Sequence, residues 1–284
     1  MKKIYKTLMA IVACAMVMVS CDKIEEDNYL IFSGAAGQWF DGEGVADHSQ
    51  RAIIEKYTGV RCINCPDADQ IITAAVAQYN GSLIAVSIHD SSVFTRPYGS
   101  DADLRCADGD IWSHYFGVFD AGQYPSAIIN RTKVGSNWDL FTPTSGVNER
   151  VDNIINNSAD VAVAVSAEQQ NGAIDITVNL EMLQQVNDEL TLTLLLMEDG
   201  IVTIQANHEG KDSNYVQNHV LRDVITDVWG ADVDCNGAAG QKRVARFSYT
   251  TFREDWNLEK SHIVAVIGKK GTREILNVAE CEID

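Results

Sequence analysis

Near Ser158 the spacing of apolar residues changes, and the change limits what each half of the chain can fold into. Beyond it Val161, Val163 and Val165 alternate with smaller residues, Gln169-Gln170-Asn171-Gly172 offers a turn, and Ile174, Ile176, Val178 and Leu180 alternate again. Side chains along a strand point to opposite faces in turn, so this period of two predicts a β-hairpin with one buried face. Further apolar stretches at 190–197, 243–250, 262–267 and 274–281 extend the pattern to a β-sandwich over 158–284. Residues 202–241 read as a long polar, irregular region with one helix-like apolar patch at 220–229.

Upstream of Ser158 the periods are mixed. Residues 51–57 are short and β-prone, and Thr58-Gly59 leads from them to Cys62-Ile63-Asn64-Cys65. Pro66 opens a helical pattern carried by Ile71, Ile72, Ala75, Val76 and Tyr79, and Asn80-Gly81 closes it. Residues 83–88 form the unbroken apolar run of a strand buried on both faces. A polar insertion follows. A short helix through Ile111, Trp112, Tyr115 and Phe116 stops at Gly117, Tyr124-Pro125 precedes an apolar strand at 126–130, and a last helix covers 147–155. The order strand, helix, strand, helix, strand, helix predicts an α/β domain over 46–157.

The N-terminus sets the compartment. Lys2, Lys3 and Lys6 precede an uncharged apolar run at 8–19 that is too short to span a bilayer. Met18-Val19-Ser20-Cys21 places a cysteine after a small residue at the end of that run and so resembles a bacterial lipoprotein processing site. The plain alternative is an ordinary signal peptide with a chance cysteine. Cleavage removes 1–20 and leaves Cys21 as a lipidated N-terminus, held in the membrane by several acyl chains. Residues 21–45 then read as an acidic, flexible tether. An acidic run just behind the lipid also resembles signals for display at the cell surface. The expected location is the outer membrane, on the surface or the periplasmic face. The formal charge of −18 deepens to −21, because the first 20 residues hold three lysines and no acid. Such a field repels phosphate backbones and argues against nucleic acid as a partner.

In an exported chain, a CxxC at the start of a helix has two readings. The helix N-terminus and the adjacent Arg61 favour a thiolate at Cys62, and Cys65 lies close enough to resolve a mixed disulfide. Alternatively the pair is a structural disulfide that locks the strand–helix corner in an oxidising envelope. A zinc reading needs four ligands, and only scattered Cys106, His89 and His114 are on offer; neither a metal nor another cofactor is expected. Cys235 and Cys281, both in the sandwich region, are the candidates for a second structural disulfide. Cys106 is left as a buried free thiol or a third redox cysteine. His208 and His219 belong to no recognisable ligand spacing. Tyr215, Trp229 and Trp256 are candidates for a binding patch or for core packing.

Several short motifs occur in one order: Glu55-Lys56-Tyr57-Thr58-Gly59 before the CxxC and Pro66, Asp103-Leu104-Arg105, Tyr115-Phe116-Gly117-Val118, Tyr124-Pro125-Ser126 with Ile129-Asn130-Arg131, and Asn218-His219-Val220-Leu221-Arg222. In this order they resemble the 28-kilodalton outer-membrane-protein family of lipoproteins from Gram-negative anaerobes. The resemblance implies an α/β thioredoxin-like domain followed by an all-β (immunoglobulin-like) sandwich. It implies that Pro125 is a cis-proline beside the CxxC, and that Glu55 or Lys56 is a buried proton carrier on the preceding strand. The Ile63-Asn64 pair and the absence of a tryptophan before Cys62 depart from good thioredoxins. Two functions follow as expectations. One is thiol–disulfide exchange on exported proteins through Cys62, Cys65 and Pro125. The other is non-enzymatic binding or adhesion to host or extracellular ligands at the cell surface.

Overall fold

The computed structural model describes residues 38–284; the expected signal segment, Cys21 and the tether up to residue 37 lie outside the described residues. The C-terminal end of the expected tether is part of the fold. Gln38–Asp41 (β1) is an edge strand, and Trp39 on it is buried with its indole N–H donating to the Asp232 carbonyl at 3.0 Å. A large aromatic side chain in polar sequence gains more by burial than free chain gains in entropy, which fastens this segment to the sheet.

Ala52–Tyr57 (β2) and Leu83–Ile88 (β3) are buried at every position and run parallel, joined by the helix Cys65–Tyr79 (α1). Ala107–Phe116 (α2) ends at Gly117, whose φ of +82° is a conformation side chains disfavour, and the single turn Val118–Ala121 (α3) follows. Ser126–Ile129 (β4) lies antiparallel to β2 on its free side. Lys133–Val134 (β5) and Asn137–Trp138 (β6) make a small surface hairpin before the helix Val147–Ile155 (α4). Alternation along β2 sorts its side chains: Ala52 and Ile54 meet α1 and α4, whereas Ile53 and Tyr57 meet Trp112 and Phe116 of α2.

Val161–Gln170 (β7) and Ala173–Met182 (β8) form the expected hairpin, turning at Asn171 and Gly172 with φ of +52° and +78°. The two left-handed residues twist the turn as the paired strands require. Leu190–Glu198 (β9) is buried on both faces. Ile201–Asn207 (β10) and Gly210–Gln217 (β11) form a two-stranded sheet of their own, and Val220–Val224 (β12), Ala231–Asp232 (β13), Lys242–Tyr249 (β14), Ser261–Lys269 (β15) and Ile275–Glu282 (β16) complete the strands among the described residues. One large sheet runs β16-β15-β9-β12-β3-β2-β4, and a smaller sheet runs β1-β14-β8-β7. Ile174, Ile176, Val178 and Leu180 of β8 pack on Leu192, Leu194 and Leu196 of β9, closing a sandwich. Leu195 and Met197, on the opposite face of β9, share a core with β2, β3 and α2.

Two expectations are corrected. The patch at 220–229, read as helix-like, supplies β12 in the middle of the large sheet, parallel to β3 and antiparallel to β9. A short apolar run carries no period that separates a buried strand from a helix, so its neighbours decided. Because β12 joins β3 to β9, the boundary expected between 157 and 158 is no break: the α/β part and the sandwich share one sheet. The fold is β-rich, with helices on the part of the sheet nearest the CxxC.

Candidate functional site

The end of β2 delivers the CxxC. Thr58 N–H donates to the Ile88 carbonyl at 3.0 Å, and the chain then turns through Gly59, where a side chain would stand 2.5 Å from the Phe94 carbonyl oxygen. Only glycine passes there. Cys62 and Cys65 are joined as a disulfide with their Cα atoms 5.4 Å apart, and Cys65 opens α1 with Pro66 behind it in the first turn. Both cysteines are buried, with 3% and 1% exposure, while Ile63 between them is half exposed. Pro125 lies one residue before the Tyr57–Ser126 pair, level with Thr58, and its peptide bond to Tyr124 is cis. Phe94 of the insertion ties these pieces together: its carbonyl accepts from Arg61 N–H at 2.8 Å and its ring packs 5.2 Å from that of Tyr124.

A cover over this corner comes from the second half of the chain. Gln205 of β10 donates through Nε2 to the carbonyls of Cys62 and Gly59 at 3.1 and 3.2 Å, and Ala206 N–H donates to the Val60 carbonyl at 2.8 Å. Lys211 and Arg61 both lie over the Tyr98 ring, 4.2 and 4.0 Å from its centre, as cation–π contacts. Tyr215 of β11 donates to Asp69 on α1 at 2.6 Å. The hairpin was hidden in sequence that reads as irregular, because its strands carry Gln, Asn, Asp and Lys where a core strand carries Val and Ile.

The strand register separates the two candidate proton carriers. Glu55 faces α2 and is held by a bidentate Arg131, with contacts of 2.6 and 2.9 Å. Arg131 in turn lies over the Trp112 ring at 4.7 Å. Lys56 points the other way, beneath α1, and forms an ion pair with Asp69, one turn beyond Cys65. Burial pulls the Lys56 ammonium down to about 7. A cavity of about 460 Å³ lies beside this pair, bounded by Lys56, Asp69, Thr73, Ser87 and Tyr215.

The remaining candidates are dispersed. Cys235 and Cys281 are free. Cys281 pairs with Ile263, which is level with Leu196, whereas Cys235 follows Val233, level with Leu190. Six residues of strand are roughly 20 Å, far beyond the span of about 7 Å that a disulfide allows. Cys106 is buried and free, its thiol pushed up to about 11 by desolvation, which makes it unreactive. His89 is wholly buried, and His114 packs on Phe119 at 4.0 Å; neither joins Cys62, Cys65 or Cys106 in a ligand cluster among the described residues. Trp229 packs 4.7 Å from Tyr115, and Trp256 lies 5.4 Å from Arg222.

Known proteins share this architecture. HBP35 of Porphyromonas gingivalis is similar in structure with a TM-score of 0.61 at 15% identity, covering 84% of this chain and 76% of that one. AGR_C_4864 from Agrobacterium tumefaciens gives 0.53 at 15% identity, covering 83% of this chain and 95% of that one. A domain of the outer membrane lipoprotein Omp28 from Porphyromonas gingivalis covers 44% of this chain and 89% of its own at 19% identity, with a TM-score of 0.31. The first two likenesses concern the fold alone. No curated protein sequence matches the chain. A family model described as Outer membrane protein Omp28 matches residues 113–284, more than half of the sequence, and the chain belongs to the Omp28 outer membrane protein family.

Proposed function

We propose that this chain is an envelope lipoprotein, anchored through Cys21, whose thioredoxin-like N-terminal half exchanges disulfides with exported proteins. The observation that carries the reading is geometric: Cys62 and Cys65 sit at the start of α1, and buried Lys56 pairs with Asp69 one helical turn beyond Cys65. In the reduced pair the Cys62 thiolate attacks a substrate disulfide, forming a mixed disulfide and releasing one substrate thiolate. Cys65 gives its thiol proton to neutral Lys56 and attacks Cys62 Sγ, releasing the second substrate thiolate and leaving Cys62–Cys65 oxidised. Two electrons pass to the substrate, and the reverse sequence oxidises a dithiol. Pro125 borders the entrance at the end of β2. Purified protein reduces insulin in this reading, and Cys62→Ala abolishes it; equal rates for the two sink the enzyme.

A second reading has its own observation. The hairpin β10–β11 holds the carbonyls of Gly59 and Cys62, and both sulfurs are buried, as suits a structural disulfide in a surface-displayed binding protein. The reduction potential separates the two. A value below about −300 mV marks a resistant structural bridge, and one between about −270 and −120 mV lies with oxidoreductases. Protease shaving of intact cells tests surface display, and protection from the protease counts against it.

A further inference from the structure

Where β12 begins, between β9 and β3, three strand ends meet. Asp199 follows the last residue of β9, His219 precedes the first residue of β12, and His262 is the second residue of β15. The Asp199 N–H donates to the Lys260 carbonyl at 2.9 Å, which fixes the turn against β15. On its other side, Asp199 Oδ1 accepts the His219 backbone N–H at 2.5 Å. His219 has a φ of +57°, uncommon for a residue with a side chain, and its carbonyl accepts from Ser87 N–H at 2.6 Å. The backbone is thus held on both sides of the imidazole.

The side chains converge. His219 Nδ1 lies 3.7 Å from Asp199 Oδ1, and His262 Nδ1 lies 4.0 Å from Asp199 Oδ2; one ligand atom from each residue falls within 4.8 Å of the others. Two donors on a tetrahedral zinc ion, at bond lengths of about 2.0–2.1 Å, stand about 3.3 Å apart, so side-chain closures of about 0.4–1.5 Å bring the three into bonding range. A carboxylate also stands near the far nitrogen of His262: Nε2 lies 3.9 Å from Glu280 Oε2. A carboxylate behind the outer nitrogen of a ligating imidazole is the usual means of fixing its tautomer and orientation. The group opens on a cavity of about 620 Å³ that Glu259, Lys260 and Glu282 also border.

We propose that Asp199, His219 and His262 bind a divalent first-row transition cation, with Glu280 orienting His262 and the remaining coordination position facing the cavity. Two imidazoles and one carboxylate with an open position suit zinc and its neighbours in the series better than calcium or magnesium, which take oxygen donors. The site is separate from the CxxC and does not depend on the redox reading.

The test is titration of the untagged protein with Zn²⁺ against a chromophoric chelator, together with Co²⁺ absorption in the visible. The expected result is one ion per chain, with the Co²⁺ bands of a low-coordinate N/O site. His262→Gln and Asp199→Asn each lower affinity by at least 10-fold, and His219→Asn does the same while keeping a residue that tolerates the left-handed backbone. Glu280→Gln lowers it by about 10–100-fold. His208→Gln, at the ion pair with Asp67 on the hairpin, leaves it unchanged. Circular dichroism of each variant establishes that it folds. Absence of a stoichiometric site, or Zn²⁺ binding that survives all three ligand substitutions, overturns the proposal, as does tighter binding of Ca²⁺ or Mg²⁺ than of Zn²⁺.

Discussion

Gln205 Nε2 donates to the carbonyl oxygen of Cys62 at 3.1 Å, across 143 residues of sequence. One amide thus links the β-rich half of the chain to the loop that carries the disulfide.

Gln205→Ala removes a donor from the carbonyls of Gly59, Cys62 and its own neighbour, the first two of which keep a backbone N–H, at a cost of about 0.5–1.5 kcal/mol. The expected outcome is faster reduction of Cys62–Cys65 by dithiothreitol, by about 2–10-fold if the loss falls on local opening, as read by alkylation and mass shift. An unchanged rate means that the hairpin does not control access.

Lys56 sets a pH dependence. Its ordinary value is 10.5 and burial lowers it to about 7. Between those values the unfolded chain binds a proton that the folded chain does not, so folding stability rises with pH, at up to about 1.4 kcal/mol per unit. Below pH 7 both states are protonated and the burial penalty is constant. Urea unfolding at pH 7, 8 and 9 shows this slope in the wild type and its loss in Lys56→Met. Parallel curves would mean that Lys56 stays charged at neutral pH and cannot serve Cys65 as a base.

His89 works in the acid range. Desolvation, and then the charges of Lys56 and Arg222, lower its imidazole from 6.5 to about 3. Above about pH 6.5 its contribution is complete; between 6.5 and 3 the unfolded state alone takes up the proton and stability falls as the solution is acidified. In His89→Leu the acid-side fall in midpoint is smaller than in the wild type. An NMR titration of His89 with a midpoint near 6.5 contradicts this account.

The buried pair Glu55–Arg131 carries structural weight. Arg131→Met leaves the Glu55 carboxylate buried without its bidentate partner and is expected to cost about 3–5 kcal/mol. The double change Glu55→Leu with Arg131→Met recovers a large part of that loss, because no charge is then stranded. Chemical denaturation of both variants decides it; equal losses in the single and double variants remove the ion pair from the explanation.

The hairpin turn at Asn171-Gly172, the ends of α1 at Pro66 and Asn80-Gly81, the parallel run of β3 and the CxxC at a helix start were all legible in local sequence, since each rests on backbone preference or on apolar spacing within a few residues. Local sequence left Glu55 and Lys56 undecided, because a one-residue slip exchanges their faces; pairing with β3 and β4 fixed the register and put Lys56 under α1. It also hid Gln205, Asp199 and His262, which are polar residues without a motif. The proposed cation ligands come from three strand ends far apart in sequence and adjacent only through the sheet. Cys235 and Cys281 failed as a pair for the same reason: being in one sandwich does not bring two residues to one level of it. What the sequence by itself determined was the set of elements and the position of the disulfide, because propensity, turn chemistry and period act locally. Only the tertiary structure decided that β12 joins the two halves into one sheet, which face of β2 each charge occupies, and what covers the CxxC, because those depend on strand order and register between distant segments.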